Sequence, residues 1–135
     1  MKFLDTNILL YSISTDPKER MKQDIAECLI LERDNALSVQ VLQEFYVQAT
    51  RPTRTPALSH ETAVSLIRTW LRFPVQNVTV GVMGEALDIK AHAGLSYWDA
   101  AIVAAARALG CSELYSEDMQ HGREIAAVKV INPFR

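Results

Sequence analysis

Short apolar runs alternate with helical patterns along the whole chain, and this alternation restricts the fold more than any other feature. The runs are Phe3-Leu4, Ala36–Val39, Ser112–Ser116 and Ala127–Ile131. Strands separated by helices pair in parallel through crossovers, which gives an α/β architecture. The first junction is the sharpest. Phe3 and Leu4 read as the end of a buried strand, and Ile8-Leu9-Leu10-Tyr11 reads as the start of an apolar helix. Asp5, Thr6 and Asn7 stand between them. Ligand crevices in open α/β sheets form at the C-terminal ends of strands, so Asp5 is a site candidate. An Asp, Thr or Asn here also serves as a helix cap, and both readings stand at this point.

Further along, Asp16-Pro17 has the form of a helix start. The pattern predicts a helix to about Arg33, with Met21, Ile25, Cys28 and Leu29 as its apolar stripe. Asp34-Asn35 stops it. A strand over Ala36–Val39 precedes a second helix from about Gln40 to Thr50, which carries Val41, Leu42, Phe45 and Ala49 on its core face and Glu44 beside them. Arg51–Pro56 is a loop, by its two prolines, and the most basic one. The next helix starts at Ser59–Thr62 and places Ala63, Leu66, Ile67, Trp70 and Leu71 on one face, with Arg68 and Arg72 four apart on another. Val75–Val80 reads as a strand or extended linker, and Gly81–Ala93 as a helix stopped by Gly94. Ser96 and Asp99 have capping-box spacing ahead of Ala100–Leu109, a helix apolar almost all round and therefore buried on more than one side. Glu117 and Asp118 follow the strand Ser112–Ser116.

At 135 residues the chain fits one domain, residues 1–135, and 49% hydrophobic content supports a real core. No run of 18 apolar residues or signal-like segment occurs, so no membrane association and a cytoplasmic location are expected. Cys28 and Cys111 lack metal-ligand or disulfide spacing and are expected to be buried thiols. Net charge is −2 and the pI about 5.9, which is not the footprint of bulk electrostatic binding to nucleic acid. Carboxylates gathered around a cation would lower the net charge without repelling phosphate, and arginine supplies 9 of the 14 basic residues. Arg51, Arg54, Arg68 and Arg72 are the candidates for RNA contact, with solvated surface as the alternative.

Asp5, Glu44, Asp99 and the pair Glu117-Asp118 all fall at strand-to-helix ends. Each has a plain structural reading as a cap or a solvated helix position. Brought together, they would repel one another and take up protons unless a cation neutralised them. A hard Mg²⁺ or Mn²⁺ ion suits an oxygen donor set that has no Cys or His. Such an ion activates water and stabilises charge on a phosphodiester.

The chain resembles the PIN domains, and specifically the VapC-type toxin ribonucleases of toxin–antitoxin systems. The likeness rests on Leu4-Asp5-Thr6-Asn7-Ile8-Leu9, Gln43-Glu44-Phe45, Tyr97-Trp98-Asp99-Ala100, Ser116-Glu117-Asp118-Met119-Gln120-His121-Gly122 and Asn132-Pro133-Phe134, in that order. It implies a three-layer α/β/α sandwich with a central, mainly parallel sheet, and an acidic pocket of Asp5, Glu44, Asp99 and Asp118. It also implies Mg²⁺- or Mn²⁺-dependent endoribonuclease activity, a homodimer, and a small cognate antitoxin as partner. On this likeness Asp5, Asp99 and Asp118 ligate the metal, Glu44 orients a second ion or the attacking water, and Asn7 and Ser116 support them. Of the two adjacent acids Asp118 fits the pattern better, with Glu117 as an outer acid. His121 is left outside the catalytic set.

Three rivals remain. A metal-dependent phosphatase would want a second Asp two residues after the first, where this chain has Asn7. A non-catalytic scaffold that binds RNA or protein has no use for a full set of acids. DNA-cleaving flap-type nucleases generally carry more acids and are larger.

Overall fold

The computed structural model describes residues 1–135. Six strands, β1 (Lys2–Leu4), β2 (Asn35–Ser38), β3 (Val75–Gln76), β4 (Glu113–Tyr115), β5 (Glu124–Ile125) and β6 (Val128–Ile131), form one sheet in the order β3-β2-β1-β4-β6-β5. All neighbouring pairs are parallel except β5 with β6. The helices are α1 (Thr6–Ser12), α2 (Arg20–Leu31), α3 (Val39–Ala49), α4 (His60–Trp70), α5 (Val80–Ala93) and α6 (Tyr97–Ala108).

Chain order and handedness assign the layers. From β1 the chain moves outward to β2 and β3 and then returns to the other side of β1 at β4. Right-handed crossovers therefore put α1–α4 on one face and α5–α6 on the other, completing the α/β/α sandwich. In keeping with this, α1 packs on α2 and α3, while α6 lies against α5, β2, β3, β4 and β6. Strands β1 and β2 are covered on both faces and wholly buried, as central parallel strands are. The alanines of α6 let it approach closely, and Ala100 through Ala106 are all buried in a single 29-residue hydrophobic cluster.

Several expectations are corrected. Residues Pro17–Glu19 form a 3₁₀ turn, and α2 proper begins at Arg20. The core face of α2 carries Ala26 and Ile30. Of the anticipated stripe, Ile25 and Leu29 are half-buried, whereas Met21 (76% exposed) and Cys28 turn toward solvent, so only Cys111 is a buried thiol. Packing of α2 on α1, which the sequence does not display locally, decides between the two faces. Leu71 is exposed because α4 ends at Trp70 and the chain turns there. Helix α6 begins at Tyr97 rather than Ala100, and β3 spans only Val75–Gln76 before an extended connection. The sequence pattern does not announce the β5–β6 hairpin. Its two turn residues, Ala126 and Ala127, adopt positive φ (51° and 65°), a conformation usually signalled by Asn or Gly. No helix is long and apolar enough to cross a membrane.

Asn35 joins α2 to the sheet. It is fully buried at the start of β2, and its Nδ2 donates to the carbonyls of Leu29 (2.7 Å), which also accepts from the Glu32 amide, and Glu32 (3.0 Å), just past the helix end. Replacing Asn35 with Ala removes the donor to both carbonyls and is expected to lower unfolding free energy by about 1–3 kcal/mol in urea titrations.

Candidate active site

Strand register brings the first two site groups together. Leu4 pairs with Tyr115, and the Asp5 amide donates to the Tyr115 carbonyl at 3.0 Å. One step beyond, Asp5 and Ser116 therefore come side by side at the C-terminal ends of β1 and β4. This is where the strand order reverses, the place such sheets put their crevices. Ser116 Oγ donates to Asp5 Oδ2 at 2.7 Å, and the Thr6 amide donates to Oδ1 at 2.7 Å. Asp5 is thus both the cap of α1 and a member of the acidic group, so its two sequence readings are one arrangement.

The other acids arrive from three further elements. Glu44 stands one turn inside α3, where Oε2 accepts from Thr6 Oγ1 (2.8 Å) and Oε1 from Gln40 Nε2 (2.9 Å). The same Gln40 amide reaches the Trp98 carbonyl at 3.3 Å and so ties α3 to the first turn of α6. Asp99 occupies that first turn, its amide capped by Ser96 Oγ at 3.2 Å. Asp118 follows β4; its Oδ2 accepts from Asn7 Nδ2 (3.1 Å) and its amide donates to Ser116 Oγ (3.1 Å). Asp5, Glu44, Asp99 and Asp118 line one narrow cleft of about 130 Å³, with Leu10, Ile102 and Trp98 as its apolar lining.

Of the two adjacent acids, Glu117 does not line this cleft. Its carboxylate accepts from Tyr11 Oη (2.8 Å) and Lys22 Nζ (2.9 Å), and Lys22 lies 4.8 Å from the Tyr11 ring centre. Its amide donates to Asn7 Oδ1 at 3.2 Å. Asn7 and Glu117 together hold the 116–118 segment, and Ser116 and Asn7 bridge Asp5 to Asp118. His121 lies outside the cleft too: its Nδ1 accepts from the Asn132 amide at 3.0 Å, pinning the C-terminal segment.

None of Arg51, Arg54, Arg68 and Arg72 lines the acidic cleft. Arg54 sits near Asp16 and Glu19, and Arg68 near His60 on α4. Arg72 donates to the Thr69 carbonyl (2.9 Å) and the Ile30 carbonyl (3.2 Å) and stacks 4.2 Å from the Phe73 ring centre. A much larger surface cleft, about 660 Å³ beside α5, is broad and open, and its Arg107 is paired with Glu85 at 3.0 Å. Size does not mark the site here; convergence of acids at the strand ends does.

Four supporting residues escape a reading of the sequence. Gln40 carries a usable signal, being four residues before Glu44 on one helix. Thr6, adjacent to Asp5, signals no more than a cap. Tyr11 and Lys22 reach Glu117 across 106 and 95 residues of sequence, and no local pattern announces them.

Burial and mutual repulsion set the electrostatics. Burial pushes the Asp5 carboxyl up to about 7, with smaller contributions from the charges of Asp118 and Glu44, against the opposing hydrogen bonds of Ser116 and Thr6. Asp99 is also raised, by burial first and then by Asp118 and Glu44. As the side chains stand, no group of three or more His, Cys, Asp or Glu is close enough together to hold a metal ion, so a bound ion would have to draw the carboxylates inward. The donors are all carboxylate oxygens around an open cleft, which fits a hard divalent cation that keeps part of its water shell and not a tetrahedral zinc site. A cation there would offset both the burial and the repulsion that raise Asp5.

The raised Asp5 fixes a sign for stability. Between pH 4 and pH 7 the native cation-free protein binds more protons at Asp5 than the unfolded chain does. This group's contribution to stability therefore falls as pH rises through that window, by at most about 1.4 kcal/mol for each pH unit. Asp5→Asn is accordingly expected to raise the Tm of the EDTA-treated protein at pH 8 and to leave it nearly unchanged at pH 4. Thermal scans at the two values check this, and a Tm lowered at pH 8 would contradict it.

The family model described as the PIN domain matches residues 2–124. No curated protein sequence is a significant match. Among solved structures, a toxin–antitoxin complex from Klebsiella pneumoniae is similar, with a TM-score of 0.70 at 19% identity over 98% of both chains. Mycobacterium tuberculosis VapC20, described as a toxin that cleaves the sarcin–ricin loop, has a TM-score of 0.66 at 21% identity, over 87% of this chain and 92% of that one. VapBC2 from Rickettsia felis, bound to a fragment of its promoter DNA, has a TM-score of 0.65 at 18% identity over 96% of both. At these identities the structures establish a shared fold. The family match spans nearly the whole chain, so the protein belongs to the PIN domain family.

Proposed function

We propose that the protein is a divalent-metal-dependent endoribonuclease and the toxin of a toxin–antitoxin pair. The observation that carries this reading is the convergence of Asp5, Glu44, Asp99 and Asp118 on one cleft where the strand order reverses, with Asp5 held partly protonated by burial and by its acidic neighbours. Membership in the PIN family supports it, as does the likeness to a structure described as an RNA-cleaving toxin.

In this proposal Asp5, Asp99 and Asp118 hold Mg²⁺ or Mn²⁺. The bound ion supplies an acidified water as nucleophile and Lewis-acid stabilisation of charge on the phosphodiester. Ser116 and Asn7 fix the carboxylates of Asp5 and Asp118 by donating to them, leaving their other lone pairs for the ion. Glu44, oriented through both oxygens by Thr6 and Gln40, is the acceptor that aligns the attacking water. Glu117 acts outside the cleft, its charge balanced by Lys22. Phosphate contact by Arg51, Arg54 and Arg68, none of which lines the cleft, belongs to the same proposal; Arg72, already committed to Ile30, is the weakest of the four.

The proposed protein partner is a small antitoxin, in keeping with the toxin–antitoxin complexes that share the fold. A second copy of the chain is the other proposed partner. Val80 and Leu87, exposed on α5 and seven residues apart, are the apolar side chains that such a contact would cover.

Purified, antitoxin-free protein is expected to cut RNA in a mixed structured and single-stranded pool with Mg²⁺ or Mn²⁺ and not with EDTA. Asp5→Asn and Asp99→Asn should each lower the rate by more than ~100-fold with an unchanged circular dichroism spectrum. Either variant cutting at the wild-type rate would contradict the assignment. Binding of RNA without cutting under any metal would favour the scaffold reading.

A further inference from the structure

A second cleft, about 220 Å³, opens next to the acidic one. It lies between the first turns of α3, α5 and α6 and the β3–α5 connection. Its character is different: Tyr97, Trp98, Val82 and Ala101 make an apolar wall, Gln43 and Asn77 bring carboxamides, and no charged side chain lines it. Of the exposed apolar residues of α5, Met83 lines this cleft, while Val80 and Leu87 do not.

Trp98 joins the two clefts. It lines both, yet is 64% exposed, although it directly precedes Asp99. Its position is defined from two sides. The Tyr97 ring stands against it edge to face at 5.1 Å, and its carbonyl accepts from the Gln40 amide that also orients Glu44. An indole is therefore held at the lip of the acidic cleft with its surface open to solvent.

The lining chemistry selects the occupant. Without a cation the groove offers nothing to a phosphate, and without a charge of either sign it offers nothing to an ionic side chain. It suits a flat, neutral group with hydrogen-bonding edges. Carboxamides present donors and acceptors together and pair with base edges, while indoles stack on base faces. The volume holds a single heterocycle. Resting on the nuclease reading above, we infer that this groove receives the unpaired base beside the scissile phosphodiester, stacked on Trp98, with Gln43 and Asn77 reading its edge. Trp98 is then a substrate-binding and specificity-determining residue.

Tryptophan fluorescence provides the test, because Trp70, the only other indole, is 3% exposed, so changes in the accessible emission report Trp98. The protein is titrated in Ca²⁺ with a mixed-sequence 12-nucleotide single-stranded RNA and with an abasic sugar–phosphate chain of equal length and charge. Cleavage of the same RNA in Mn²⁺ is followed in parallel for the wild type and Asp5→Asn. The expected result is quenching and acrylamide protection by RNA and not by the abasic chain. Affinities of the wild type and the Trp98 variants are compared by fluorescence anisotropy of a 5′-labelled copy of the same RNA: Trp98→Ala should lose about tenfold and Trp98→Phe should retain most of it. Equal binding of the abasic chain, or RNA binding untouched in Trp98→Ala, with Asp5-dependent cleavage intact, would overturn the base-pocket assignment and leave the nuclease standing. Protection that grows with protein concentration in the absence of RNA, together with a dimer in sedimentation analysis that Trp98→Ala dissociates, would give the groove to a second copy of the chain, overturning it as well. Absence of both RNA binding and cleavage would remove the nuclease reading and this inference with it.

Discussion

The parallel pairing of β1 with β4 is the contact on which the rest of the site depends. Because Leu4 is registered on Tyr115, Asp5 and Ser116 emerge together, and the hydroxyl of one meets the carboxylate of the other. A slip of one residue would turn both side chains to opposite faces of the sheet. Everything else is arranged around that pair: α1 starts on Asp5, Asn7 reaches from α1 to Asp118, and Thr6 reaches to Glu44. The buried ends of β1 and β4 thus do more than complete the core; they give four acids from distant parts of the chain a common reference.

Holding those acids together is electrostatically costly, and the structure shows how the cost is distributed. The carboxylates accept hydrogen bonds from neutral side chains: Ser116 for Asp5, Asn7 for Asp118, Thr6 and Gln40 for Glu44, and Ser96 for Asp99. Hydrogen bonds of this kind favour the charged form but do not cancel burial and mutual repulsion. No basic side chain lines the cleft, and Lys22 is committed to Glu117 outside it. The raised carboxyl of Asp5 is what this imbalance leaves. Sites of chemistry are where such strain is commonly kept, since a bound ligand can discharge it. An acidic overall composition is consistent with that arrangement: the negative charge that argues against bulk attraction of nucleic acid is in part concentrated where a cation would reverse it locally.

Legibility in the sequence follows physical range. The alternation of strands and helices, the helix starts at Ser59 and Ser96, and the αL stop at Gly94 are local signals, and the layered parallel sheet follows from them. Asp5, Asp99 and Asp118 sit at element boundaries and Glu44 inside α3, and all four can be named from the sequence because the five motifs occur in family order. What stays hidden depends on contacts between distant segments. Which face of α2 is buried is set by α1, so Met21 and Cys28 point inward by local pattern and lie outward in the fold. The choice between Glu117 and Asp118 as cleft-lining acid turns on Tyr11 and Lys22, almost a hundred residues upstream. The β5–β6 hairpin turns through two alanines, which carry no turn signature at all.

The central claim is that the cleft is a set of carboxylates whose shared protons a divalent cation displaces. Titration calorimetry of the wild-type protein with Mn²⁺ at pH 7, in two buffers of different ionisation enthalpy, tests it most directly. The account predicts binding that releases about half a proton or more per site, as a carboxyl with a pKa of about 7 must when it takes a metal. Failure to bind Mn²⁺, or binding with the same heat in both buffers and hence no proton release, would contradict it.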